Sequence, residues 1–165
     1  MHLAIILITI FAAWKWGDWK NWRKYHNTML FLAIGNLLYN FIYSNHLLWE
    51  LRPYLLYSHK VGEIFYTFIV FPLTGLIFLT NYPKTIKDQV LHIAKFVTIY
   101  IVIEYILYMF GKTVYNYGWN IWWSLAWNCM MFPMWALHYK KPFMAYGASF
   151  IVIIIILMIF PISFK

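Results

Sequence analysis

The chain has 165 residues, of which 64% are hydrophobic and only 11% are charged. Soluble domains carry about 25% charged residues, so this composition excludes an ordinary soluble protein and indicates an integral membrane protein. The net charge of +8 would suggest a nucleic-acid partner in a soluble chain. Here the basic residues lie mainly between apolar stretches, which is how membrane topology is encoded, so we expect no nucleic acid.

Six apolar stretches divide the chain, at about residues 1–14, 28–43, 61–79, 89–110, 119–138 and 143–161. Their connections are too short to fold as separate domains. We therefore predict a single transmembrane domain over residues 1–165: an all-α, polytopic integral membrane helix bundle of six transmembrane helices. The first stretch is short for a hydrocarbon core of about 30 Å, so five spans stay possible.

The basic residues are distributed unevenly among the connections. The first, third and fifth connections hold Lys15, Lys20, Arg23, Lys24, Lys84, Lys87, Lys140 and Lys141. The remaining connections and the C-terminus hold Arg52, Lys60, Lys112 and Lys165. Lysine and arginine mark the cytoplasmic side, so we predict a multi-pass cell-membrane protein with both termini outside.

Four tryptophans alternate with basic residues after the first stretch: Trp14, Trp16, Trp19 and Trp22. Tryptophan at headgroup level beside lysine and arginine is typical of an interfacial segment. We interpret these residues as interfacial anchors in the lipid bilayer. A docking surface for anionic lipid or for a partner is the alternative.

Glu104 is the most informative residue, because it lies inside the apolar run VLHIAKFVTIYIVIEYILYMF. A charged side chain within a span costs about 2.5 kcal/mol or more, so it usually faces a protein interior or a water-filled cavity. Asn36 and Asn40 are four residues apart and share a helix face. With alternating topology, polar residues collect in the outer half of the bundle. The predicted pocket there consists of Glu104, Asn36, Asn40, Glu63 and Asn128, ringed by Tyr66, Tyr105, Tyr108 and Trp123.

That pocket predicts binding of a small cationic or polar solute whose identity the sequence does not give. The alternative is structural: Glu104 forms a hydrogen bond with an asparagine and holds the helices together. Both uses are compatible with a polar side chain in a span.

A metal site is a further hypothesis for the connection NHLLWELRPYLLYSHKVGE. His46 and Glu50 are four residues apart, as are His59 and Glu63, so each pair would share a face on helical backbone. Two histidines and two carboxylates suit zinc, manganese or iron. Interfacial polar pairs are the competing interpretation, and any cofactor is otherwise unknown.

Several short segments resemble a family of small, uncharacterised multi-spanning membrane proteins of spore-forming Gram-positive bacteria. They are GNLLYNF, LWE, FPLT, IYIVIEY, YNYGWNIWWS and LHYKKP. The resemblance implies a bacterial membrane location and the signature positions Asn36, Asn40, Trp49, Glu50, Pro72, Glu104, Trp119 and His138. It implies no activity.

Three functions compete. The first is a membrane binding or transport module with a pocket in its outer half. The second is a structural or sensory subunit that packs against a membrane protein partner or a second copy of itself. The third is a metal-dependent enzyme acting on a lipid-borne substrate, although no HExxH, CxxC or glycine-rich phosphate loop is present. We expect a non-enzymatic protein.

Overall fold

A computed structural model of the chain describes residues 1–52 and 58–162. Lys165, which entered the charge comparison above, lies outside the described residues. The described part contains helices α1 (His2–Trp16), α2 (Arg23–Ile42), α3 (His59–Phe65), α4 (Phe71–Thr80), α5 (Ile86–Met109), α6 (Ile121–Lys140) and α7 (Pro142–Ile159). A π-helical segment, Tyr66–Val70, joins α3 and α4 into one continuous helix. Helix makes up 78% of the structure, which confirms the predicted all-helical class.

Each predicted span overlaps one continuous helix of the structure. Within the described residues, three helices are long and apolar enough to cross a membrane: His59–Thr80, Ile86–Met109 and Pro142–Ile159. Helix α1 is apolar but has only 15 residues. Helices α2 and α6 are less apolar because they carry amide, histidine and basic side chains.

Side-chain caps explain where several helices begin. The Ser58 hydroxyl accepts from the Val61 N–H at α3, and the Thr85 hydroxyl accepts from the Asp88 N–H at α5. Asn120 accepts from two backbone N–H groups at the start of α6. Such caps satisfy amides that have no partner within the helix, so the local sequence fixes these boundaries.

Two short strands interrupt the helical pattern. Strand β1 (Trp49–Leu51) follows α2, and β2 (Thr113–Tyr115) follows α5. They pair antiparallel, with Glu50 opposite Val114. We call the end of the bundle that carries these strands the sheet end.

The opposite end of the bundle, which we call the basic end, gathers the three lysine-rich connections. The Asp18 N–H donates to the Thr80 hydroxyl at 3.1 Å, joining the first of these connections to the end of α4. The Lys140 ammonium lies 4.9 Å from the centre of the Tyr82 ring. The grouping of basic residues predicted from sequence is therefore present in three dimensions.

Packing is closest in the basic half of the bundle. Helix α4 packs against α1 and α2, while α6 packs against α5, α7 and α2. The rings of Phe78, Phe96, Phe132 and Trp135 form an aromatic core between α4, α5 and α6. A cavity runs beside this core, from Trp16 and Lys95 at the basic end to the sheet end.

Candidate functional site

The cavity has a volume of about 650 Å³ and is lined by α1, the α3–α4 helix, α5 and α6. This volume is within the range of small-molecule sites in proteins. Its lining includes Ile8 of α1 and Ile99 of α5, both exposed at the bundle surface. The cavity therefore opens sideways, between α1 and α5.

The small sheet covers the sheet end of the cavity. Side chains alternate along a strand, so Trp49 and Leu51 point the same way and Glu50 points to the other face. Trp49, Leu51 and Thr113 line the cavity. The Trp49 ring stacks on Tyr39 of α2 at a centroid distance of 3.9 Å, and the Tyr39 hydroxyl accepts from the Trp49 N–H. These contacts hold β1 in place over the sheet end of the cavity.

Glu104 lies on the α5 wall, and two hydroxyl groups donate to the same oxygen of its carboxylate. Oε1 accepts from the Tyr115 hydroxyl at 2.9 Å and from the Ser124 hydroxyl at 2.5 Å. Tyr115 belongs to β2 and Ser124 to α6. The carboxylate thus joins three elements at the sheet end.

Further hydrogen bonds hold Ser124, one of the two donors to this carboxylate, in position. The Trp119 indole N–H donates to the Ser124 hydroxyl at 2.9 Å, so the serine hydrogen is left for Glu104. The Asn128 amide donates to the Ser124 backbone carbonyl at 2.8 Å. Burial raises the pKa of the Tyr115 phenol, and the neighbouring Glu104 charge raises it further. Tyr115 therefore remains a neutral donor at neutral pH.

Glu63 forms a second carboxylate cluster, on the wall made by α3. Its Oε2 atom accepts from the Asn36 and Asn40 amides, each at 3.0 Å. Asn36 also donates to the Thr67 hydroxyl at 2.8 Å. Thr67 belongs to the π-helical segment, which ends just before Pro72, a residue with no backbone N–H. Two helices, α2 and α3, are thereby joined through side chains.

The two carboxylates have the same arrangement of occupied and free oxygens. In each, all hydrogen bonds from the described residues go to one oxygen, which leaves Oε1 of Glu63 and Oε2 of Glu104 without a partner there. No ion pair involves either carboxylate within the described part of the chain, although the buried His2 ring of α1 interacts electrostatically with Glu63. Both residues line the cavity. Its sheet end is therefore acidic and rich in acceptors.

The middle and the basic half of the cavity differ in character. The middle is mainly apolar, with Phe71, Ile99 and Ile103 on its walls. The Tyr100 ring also lines it, and the Tyr100 hydroxyl is buried beside Thr74. Lys95 lines the cavity farther toward the basic end.

The structure brings four of the five predicted pocket residues to one cavity: Asn36, Glu63, Glu104 and Asn128. The Asn40 amide donates to Glu63, but Asn40 itself is not part of the lining. Of the four aromatic residues predicted to surround the pocket, only Tyr66 lines the cavity. Tyr105 and Tyr108 are exposed, and Trp123 packs against Phe160.

The four predicted metal ligands are not brought together as a set, although His59 and Glu63 lie one turn apart on α3 as predicted. Glu50 lies on a strand and not on a helix, so it does not share a helix face with His46. The His46 ring stacks on Tyr117, and His59 Nδ1 accepts from the Leu51 N–H at 3.0 Å. Within residues 1–52 and 58–162, no three His, Cys, Asp or Glu side chains form a group able to hold a metal ion.

The four tryptophans predicted as anchors are exposed at the basic end: Trp14, Trp16, Trp19 and Trp22. The Lys15 ammonium lies 5.3 Å from the centre of the Trp16 ring. The Trp19 indole N–H donates to the Ala13 carbonyl at 2.7 Å. An exposed belt of this kind is what a headgroup region accommodates.

Sequence reasoning did not place Tyr115, Ser124 or Trp49 in the site. Ser124 carried a usable signal, because it lies one helical turn before Asn128 on the same face. Tyr115 and Trp49 lie in connections whose pairing is not encoded in any local period.

Compared with protein-family models, curated proteins and solved structures, the chain matches none of them. The family resemblance described above stays a prediction.

Proposed function

We propose that this chain is a multi-pass cell-membrane protein that binds a small molecule in the cavity, with Glu104 and Glu63 contacting the ligand. The observation that carries this proposal is the shared arrangement of the two carboxylates. Each lines the same cavity, each is held by two donors, and each keeps one oxygen without a partner among the described residues. A carboxylate used only to join helices has no need of a free oxygen on a cavity wall.

The acidic content of the chain supports the same proposal. The sequence contains only five aspartate and glutamate residues, and two of them line this cavity. Ionisable residues inside membrane helices are costly, and they commonly mark substrate or ion pathways. Transport, as distinct from binding, would require the ligand to leave at the basic end, where the cavity lining includes the exposed residues Trp16, Asn81 and Lys95.

The test of binding is to identify what accompanies the purified protein. We expect wild-type protein released from nanodiscs into a mass spectrometer to carry a bound small molecule, and Glu104→Gln to lose it. Glu50→Gln is the matched control, since Glu50 is a half-buried glutamate outside the cavity lining. Retention of the same bound mass by a folded Glu104→Gln variant would contradict the proposal.

The proposed topology has six spans, with both termini and the sheet end outside. The gathering of eight basic residues at the other end supports this orientation. In a Cys129→Ser background, Lys60→Cys should react with a membrane-impermeant maleimide on intact cells, and Lys84→Cys should not. Both lysines are exposed, so they form a matched pair. The reverse pattern would place the sheet end in the cytoplasm.

A further inference from the structure

We propose that the ligand is a single-chain amphiphile with a cationic amine head, which enters sideways from the membrane between α1 and α5. The amine lies at the sheet end of the cavity, whose walls there carry Glu63 and Glu104, and the chain follows α5 toward the basic end. This inference rests on the proposed function, because it names the class of molecule that the same cavity takes.

The head is identified by the donors and acceptors at the sheet end. The oxygens of Glu63 and Glu104 that the described residues leave free are acceptors. No ion pair joins a basic side chain of the described residues to either carboxylate, although the His2 ring lies near enough to Glu63 to interact with it electrostatically. An ammonium group has three donors and no acceptor, so it matches two free carboxylate oxygens. A phosphate or carboxylate head would be repelled by the same groups.

The apolar chain is identified by the shape and lining of the cavity. Glu104 and Lys95 both line it and are nine residues apart on α5, a distance of about 14 Å along the helix axis. Ile99 and Ile103 lie between them on the same wall. A small hydrophilic cation would leave this apolar length unfilled, whereas an alkyl chain would cover it.

The opening explains how such a molecule would enter. Ile8 is 66% exposed and Ile99 is 42% exposed, although both line the cavity. These apolar side chains lie on the opposite lips, α1 and α5, so an alkyl chain can pass between them without leaving an apolar environment. The small sheet covers the sheet end, so entry from the membrane avoids displacing Trp49.

A positive charge on the α5 wall fixes the orientation of the ligand. Lys95 lies toward the basic end and would repel a cationic head placed there, which leaves the acidic end as its position.

The experiment compares three probes on the full chain in nanodiscs, with empty nanodiscs subtracted. Dodecylamine carries both the chain and the amine, dodecanol has the chain alone, and propylamine has the amine alone. We expect saturable binding of dodecylamine, at least about tenfold tighter than binding of either other probe. Dodecanol lacks the charge that the carboxylates would bind, and propylamine lacks the chain that would cover the apolar wall. Glu104→Gln should weaken dodecylamine binding by a similar factor, and Glu50→Gln should leave it unchanged.

Each other outcome has a definite meaning. Equal binding of dodecanol and dodecylamine would overturn the amine head. Propylamine binding as tightly as dodecylamine, and lost in Glu104→Gln, would overturn the amphiphile but keep the proposed function. If none of the probes binds but an accompanying molecule is still lost in Glu104→Gln, the ligand class is wrong. Failure of both experiments removes the proposed function as well.

A second variant guards against misfolding of Glu104→Gln. Ile99→Trp leaves both carboxylates intact and fills the apolar part of the cavity. It should abolish dodecylamine binding and affect propylamine binding much less. Equal dodecylamine binding by folded Ile99→Trp and wild type would overturn the proposed position of the chain.

Discussion

The Ser124 hydroxyl donates to Glu104 across the interface of α6 and α5, at 2.5 Å. The same serine accepts from the Trp119 indole at 2.9 Å and is almost fully buried. An indole N–H can only donate and a carboxylate can only accept, so the serine oxygen accepts from Trp119 and the serine hydrogen is donated to Glu104. Ser124 is therefore the residue that orients the Glu104 carboxylate while leaving its second oxygen to the cavity.

Removal of this serine hydroxyl should destabilise the protein. In Ser124→Ala, the buried Trp119 N–H loses its acceptor and Glu104 loses a donor. We expect the free energy of unfolding to fall by about 1–3 kcal/mol, the usual cost of leaving a buried polar group unpaired. Titration with SDS measures this loss. Ser149→Ala on α7 is the control and should change it by less than about 0.5 kcal/mol, because no side-chain hydrogen bond among the described residues involves that position. An equal effect of the two substitutions would contradict the assigned role.

The two asparagines of α2 should contribute unequally. Asn36 donates to both Glu63 and Thr67, which are on the neighbouring helix, whereas Asn40 donates to Glu63 and to the Asn36 carbonyl of its own helix. Hydrogen bonds between membrane helices contribute about 0.6 kcal/mol on average and up to about 1.7 kcal/mol. We expect Asn36→Leu to lower the free energy of unfolding more than Asn40→Leu does.

A double-mutant cycle with Glu63→Gln tests this order. Both asparagines should show coupling to Glu63, because both donate to its Oε2 atom. Only Asn36 should keep a further cost in the Glu63→Gln background, through its bond to Thr67. Coupling of Asn40 alone would contradict the geometry.

The features that sequence predicted well are those encoded in short-range patterns. The six helices follow from apolar stretches, and the shared face of Asn36 and Asn40 follows from a spacing of four residues. Glu63 and Glu104 could be assigned to the same half of the bundle because alternating topology converts position along the chain into depth.

The features that sequence missed depend on contacts between distant parts of the chain. Trp49 pairs with Tyr115, although 66 residues separate them, and no local period indicates that pairing. It places Tyr115 beside Glu104 and places Glu50 on a strand, which separates it from His46. The pairing of the two strands therefore explains both results: the predicted helical pair of His46 and Glu50 does not form, and Tyr115 was missed as a donor to Glu104.

Gly75 should be a sensitive packing position. A Cβ atom at this residue of α4 would lie 2.5 Å from a methyl carbon of Leu32, a buried residue of α2. Small residues allow membrane helices to approach closely, and overpacking costs about 1–3 kcal/mol. We expect Gly75→Val to lower the free energy of unfolding by that amount. Gly147→Val on α7 is the control, because no atom lies within 4 Å of its added Cβ. A smaller loss at Gly75 than at Gly147 would contradict the close approach of α2 and α4.

Filling the cavity should affect ligand binding more than stability. Ile99 and Val102 are both on α5, with exposures of 42% and 50%, but only Ile99 is among the residues that line the cavity. A tryptophan at Ile99 occupies space that the ligand needs, whereas at Val102 it faces away from the cavity. We expect Ile99→Trp to lose the molecule that accompanies the wild-type protein and Val102→Trp to retain it, as measured by mass spectrometry from nanodiscs. Because both changes add the same indole to an exposed site, their free energies of unfolding should be similar. Retention of the ligand by both folded variants would show that it binds somewhere other than this cavity.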